Sequence, residues 1–168
     1  MAAYPFVASL GLSDRAKANS VVTIKVPELQ RGKVLIVSVQ GLPLVFLKPD
    51  IQQAESISLL NAHVWDINIK SYNKDLDAYV YWGLSTRYGC SLSHHEQQGS
   101  RLKEWSNDAV WYGGYWDHSC EVSYDYAGRA IKNHKYTFNG YTKQVENLQV
   151  PSVFHKTKNG YVVSILQR

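Results

Sequence analysis

The stretch "KVLIVSVQGLPLVFLK", Lys33 to Lys48, consists of two apolar arms around one glycine. Both arms are rich in Val, Ile, Leu and Phe, too short for a helix of ordinary length, and Gly41 supplies the turn between them. This is the pattern of a β-hairpin. The pattern recurs outward from it. Val21 to Val26, "VVTIKV", alternates and is β-branched, and Pro27 to Gly32 breaks it. Ala78 to Leu84, "AYVYWGL", reads as a buried strand. Cys120 to Tyr126 and Ala130 to Lys132 flank a turn at "YAGR". Val150 to His155 and Tyr161 to Leu166 flank "KTKNG". Only Ile51 to Leu60 suggests a short helix or turn. Asn61 to Asp77 and Asn133 to Glu146 read as polar loops, and no helical periodicity of any length is present. The expected class is all-β, an antiparallel β-sandwich or barrel.

Composition narrows the function. A chain of 168 residues fits one domain, and 45% hydrophobic residues can bury a core. Twelve Tyr and five Trp against four Phe form an amphipathic, β-prone aromatic set. The net charge of +4 is scattered, without a basic run, which argues against nucleic-acid binding. No apolar run reaches 18 residues, so no complete membrane-spanning helix is expected. The stretch "MAAYPFVASLGL" is nonetheless apolar, lacks the basic start of a signal peptide, and runs into the charged "SDRAKANS". It is expected to be an anchor stub, or an arm packed on the domain or on another subunit.

Two loops concentrate polar and aromatic chemistry. The first is "YWGLSTRYGCSLSHH", Tyr81 to His95; the second is "GGYWDHSCEVSYDYAGR", Gly113 to Arg129. Each holds one of the two cysteines, Cys90 and Cys120, which are either a disulfide or two separate thiols. His94, His95, His118, Asp117 and Cys120 include donors suited to zinc or copper. No paired Cys-x-x-Cys or His-x-x-x-His spacing accompanies them, and surface histidines are the simpler reading. Ser85 lacks the nucleophile-elbow context of a serine hydrolase.

The order of segments resembles the Rieske iron–sulfur subunit of bacterial cytochrome bc1 complexes. "PFVASLGLSDRAKA" (Pro5 to Ala18) is similar to the end of its anchor and flexible neck, and "VPELQRGKVLIVSVQGLPLVFL" to its first hairpins. "GGYW", "YDYAGR" and "ENLQVP" are similar to segments flanking its cluster, and "NGYVVSI" to part of its closing hairpin. The resemblance implies an anchor and neck remnant at residues 1–20. It implies a Rieske-like domain at 21–168, with tip loops at 81–95 and 113–129. The family binds a [2Fe–2S] cluster through two thiolates and two imidazoles. On that pattern Ser85 and Asp117 stand at the cysteine ligands, and Arg87 and Cys120 at the histidine ligands. Cys90 matches one disulfide cysteine and Ser119 stands at the other, so a relocated Cys90–Cys120 disulfide is expected. Glu121 and Val122 replace a glycine and a serine near the cluster, while Tyr124 is retained.

None of the four ligand identities is kept. A serine hydroxyl is a weak ligand, and a guanidinium has no lone pair to give. No cofactor is therefore expected, and an Arg87–Asp117 ion pair is expected across the vacated positions. The resemblance then implies a cluster-free structural, accessory or assembly subunit of a quinol–cytochrome c reductase-type membrane complex, without activity of its own. Its partners would be cytochrome b and cytochrome c1 type subunits. Its place would be the periplasmic face of a bacterial inner membrane, or the mitochondrial equivalent. The alternatives are an electron-carrying Rieske subunit and a periplasmic module binding a small ligand or metal.

Overall fold

A computed structural model describes residues 21–96, 111–132, 137–138, 141–142 and 144–165. The apolar N-terminal segment lies outside the described residues. The described chain is all-β, with antiparallel sheets and one short α-helix. It divides into two compact units, one formed by the two chain ends and the other by Pro27–Val150.

In the first unit, β1 (Val21–Ile24) pairs with β12 (Gly160–Ser164), which also pairs with β11 (Phe154–Thr157). The "KTKNG" turn thus closes the β11–β12 hairpin read from sequence. The β1–β12 pairing joins segments more than 130 positions apart, from Ile24 opposite Tyr161 to Val21 opposite Ser164.

In the second unit, β2 (Val34–Val39) and β3 (Leu42–Leu47) form the expected hairpin, with Val39 opposite Leu42. Its two-residue turn has φ of 50° at Gln40 and 82° at Gly41. Positive φ at both positions is what gives a two-residue turn the twist of its strands. The sheet continues through β5 (Ala78–Trp82) to β4 (Tyr72–Asn73), in the order β2-β3-β5-β4. Leu44, Val45, Phe46 and Leu47 are all buried, because β3 lies inside the sheet and is covered on both faces. Each such side chain contributes about 1.5–3 kcal/mol by leaving water. Between β3 and β4 the chain forms α1 (Ile51–Leu59) and a 3-10 turn at Leu60–His63. Asp50 starts α1 with a capping box: its carboxylate accepts from Gln53 N, and Gln53 Oε1 accepts from Asp50 N.

A second sheet, β6 (Ser93–His95), β7 (Gly114–Asp117) and β8 (Val122–Tyr124), carries both loops of interest. The segment His94-His95, expected in a loop, is strand instead, held by pairing with Tyr115 and Gly114. The two sheets share one apolar core. Val45 and Tyr81 come from the first, and Tyr115, Val122 and Tyr124 from the second. This is the two-layer packing of a β-sandwich. A short ribbon, β9 (Thr137–Phe138) with β10 (Tyr141–Thr142), falls in the segment expected to be loop.

The turn "YAGR" is locked by an ion pair with no water access. Asp125 and Arg129 are 0% and 1% exposed, and both Arg129 Nε and Nη2 reach Asp125 Oδ2 at 2.7 Å. The other carboxylate oxygen accepts from Ala127 N and Arg129 N. The guanidinium also donates to Asn61 Oδ1 and to the carbonyl of Ile57. All three guanidinium nitrogens and both carboxylate oxygens are engaged, as burial of two charges requires.

Candidate functional site at the two-loop tip

The first loop is closed by a bridge between Leu84 and Ser91. Inside it, Ser85 N donates to Cys90 O at 2.8 Å and Gly89 N to Ser85 O at 2.9 Å. The second loop is the tight connection from β7 to β8. Asp117 Oδ1 accepts from Ser119 N at 2.9 Å and from Cys120 N at 3.2 Å, so the carboxylate builds its own turn. Gly114 permits a close approach behind this loop. A Cβ there would lie 2.2 Å from Tyr124 O, and φ is 130°.

Tyr124 ties the tip together. Its hydroxyl lies 3.3 Å from Ser85 Oγ and 3.0 Å from Thr86 Oγ1, and it accepts from Thr86 N at 3.2 Å. Thr86 Oγ1 donates to the Glu146 carbonyl at 2.7 Å. Each hydroxyl has a single proton, so the carbonyl end sets the direction of the chain. Thr86 gives its proton to Glu146 O, Tyr124 gives its proton to Thr86, and Ser85 gives its proton to Tyr124. Arg87 N donates into Ser85 Oγ at 3.3 Å. Burial raises the Tyr124 phenol above its usual pKa, opposed by the bonds from Ser85 and Thr86.

The four positions singled out from sequence do gather at this tip. Ser85 and Asp117 are 2% and 0% exposed, and Arg87 and Cys120 are half-buried. Burial raises the Cys120 thiol, the Asp117 charge raises it further, and Cys90 and Arg87 also act on it electrostatically. Two expectations are corrected. Cys90 and Cys120 are free thiols rather than a disulfide; Cys120 sits in the Asp117 turn, which fixes its backbone independently of the first loop. Arg87 and Asp117 are not an ion pair; the described ion pairs are Arg31–Asp77, Lys48–Asp77 and Arg129–Asp125. Asp117 points Oδ1 at its own turn amides instead, and Oδ2 is buried with no hydrogen-bond partner among the described residues. The Arg87 guanidinium stands 5.8 Å over the Tyr88 ring.

This donor set does not fit a [2Fe–2S] cluster. The Ser85 proton is committed to Tyr124, Asp117 Oδ1 is committed to two amides, and Arg87 offers no lone pair. Asp117 Oδ2 and one raised thiol, Cys120, are left of the four positions, where the cluster takes two thiolates and two imidazoles.

A second constellation was missed in the sequence. Ser93 Oγ lies 2.9 Å from His95 Nε2, 3.1 Å from His118 Nε2 and 3.2 Å from Trp116 O. Trp116 Nε1 donates to His118 Nδ1 at 3.1 Å. The signal was the Ser-x-His spacing of Ser93 and His95, which shares one face once the segment is a strand. A groove of about 440 Å³ also opens between loops 66–71 and 144–150, walled by Asp66, Lys70, Gln144 and Glu146.

No model of a known protein family matches the chain, and no curated protein matches it significantly.

Proposed function

We propose that the chain is a cluster-free Rieske-type domain that serves a quinol–cytochrome c reductase-type membrane complex as a structural, accessory or assembly subunit. The observation that carries this reading is the state of Ser85 and Asp117. Both are buried in the two loops that the resemblance assigns to the cluster, and both are tied into hydrogen bonds that hold those loops. Tyr124, the residue retained from the cluster surroundings, now bonds a serine hydroxyl at the position of a cysteine ligand. The polar tip is thus kept as a scaffold. The electron-carrying alternative needs soft anionic donors that Ser85 and Arg87 cannot supply.

Capture from native membranes tests this reading. The tagged full-length chain is expected to bring down cytochrome b and cytochrome c1 type subunits after mild detergent extraction. Removal of Met1 to Leu12 is expected to lower that yield and leave the β-domain folded. Recovery of neither subunit, with the full chain present in the extracted membranes, would end the proposal.

A further inference from the structure

The Ser93 network lies in the same two loops but uses none of the four cluster-ligand positions, and it does not depend on the Rieske reading. Its proton directions follow from chemistry. The indole N–H of Trp116 can only donate, so His118 Nδ1 is the acceptor in their 3.1 Å bond. A neutral His118 then carries its proton on Nε2 and gives it to Ser93 Oγ. The serine keeps one proton of its own. His95 Nε2, at 2.9 Å, is a nearer acceptor for it than Trp116 O at 3.2 Å. Burial holds the His95 imidazole below the ordinary histidine range, and neighbouring His118 acts in the same direction. This favours the uncharged His95 ring, whose Nε2 is placed to accept that proton. His118 is exposed, and Ser93 and His95 are half-buried, at the rim of the β6–β7 pair.

We propose that Ser93 is an acyl-accepting nucleophile, with His95 as its general base and His118 as the donor to the oxyanion. Nucleophile and base meet at ordinary reacting distance. The oxyanion donor is held in its donating tautomer by Trp116, which is a positioning residue. In the step, Ser93 Oγ bonds to the carbonyl carbon of an ester and its proton passes to His95 Nε2. The carbonyl π pair moves onto oxygen and accepts the His118 N–H. The tetrahedral species collapses, the ester C–O bond breaks, and the leaving alcohol takes the proton from His95. Water, deprotonated by His95, releases the acyl group from Ser93 as a carboxylic acid. Trp111 and Trp116, each 5% exposed, lie beside the imidazoles. Ser93 and His95 are only half-buried, and the substrate class proposed is a small, unhindered ester, with acetyl as the representative acyl group.

The test uses the full chain and p-nitrophenyl acetate, with nitrophenolate release followed in time and the acetyl group located by peptide mass mapping. The expected result is a burst of one equivalent per chain with the acetyl on Ser93. Ser93→Ala loses the burst. His95→Ala slows acylation about a hundredfold and regains part of it with added imidazole. His118→Phe slows it by about the same factor, with the acetyl still on Ser93. In the unaltered chain the rate rises with pH and levels off below the ordinary histidine range. In Trp116→Phe, nitrogen NMR of the His118 ring is expected to show loss of the single Nε2–H tautomer. Acetyl found on lysine, tyrosine or histidine with Ser93 unmodified overturns the proposal. So does a folded Ser93→Ala chain that keeps the burst, or a pH profile with no histidine titration.

Discussion

The hydroxyl of Tyr124 lies 3.3 Å from that of Ser85, across 39 positions of sequence, and the serine is the donor. The same phenol holds both the amide and the side chain of Thr86, so one residue of β8 carries the first loop. Tyr124→Phe removes this junction and leaves the Ser85 hydroxyl and the Thr86 amide without their partner. The expected loss is about 1–3 kcal/mol, read from denaturant unfolding, with faster amide exchange at Gly89 and Ser85. Unchanged exchange in the first loop would show that the phenol is not its anchor.

The Asp125–Arg129 pair is expected to be the most sensitive polar pair of the described fold. Asp125→Ala leaves a guanidinium that is 1% exposed without its counter-charge, and a loss of about 3–5 kcal/mol follows. Replacing both residues by apolar ones of similar volume is expected to cost much less. A double variant as unstable as the single one would mean that the pair acts chiefly through its bonds to Asn61 and Ile57.

The two thiols are expected to remain separate in the purified chain, and mass spectrometry without reductant is expected to count two alkylations. Burial and the Asp117 charge raise the Cys120 thiol, so its thiolate fraction at neutral pH is small and its alkylation slow. Asp117→Asn removes the second cause and is expected to speed alkylation of Cys120 at neutral pH. Equal rates in the two chains would remove Asp117 as a cause of the shift.

The His94 ring packs 5.5 Å from Tyr115 and 6.2 Å from Tyr126, centroid to centroid. Burial depresses its pKa below the unfolded value, with Glu96 opposing. The neutral ring therefore contributes stability that is present above the unfolded histidine pKa. That contribution is lost as pH falls through the lower folded value. Urea unfolding between pH 7 and pH 5 is expected to show less acid destabilisation in His94→Gln than in the unaltered chain. Parallel curves would place the acid sensitivity elsewhere.

The hairpin Lys33 to Lys48 was legible because strand pattern and turn chemistry coincide within 16 residues. Ile51 to Leu60 was legible only as a short helix or turn, and the Asp50–Gln53 capping box is what makes it helix. The two tip loops were legible as loops, and the structure brings Ser85, Arg87, Asp117 and Cys120 to one end. Their bonds were not legible, because Tyr124 reaches Thr86 across 38 positions and Thr86 reaches Glu146 across 60. The expected Arg87–Asp117 pair failed for a local reason: a carboxylate two residues before a free amide closes its own turn. His94 and His95 looked like loop because neither is a strong strand former. Pairing with β7 made them strand and turned the Ser93–His95 spacing into a contact. The ribbon pairing Thr137–Phe138 with Tyr141–Thr142 was not legible, because strands two residues long leave no alternating pattern to read.

The most direct test of a cluster-free tip is paramagnetic resonance of the reduced chain after reconstitution with iron and sulfide. The unaltered chain is predicted to be colourless and silent. The variant carrying Ser85→Cys, Arg87→His, Asp117→Cys, Cys120→His and Ser119→Cys, treated in parallel, is predicted to gain colour and the signal of a histidine-ligated [2Fe–2S] cluster. That signal in the unaltered chain would contradict the loss of the cluster site and restore the electron-carrying reading.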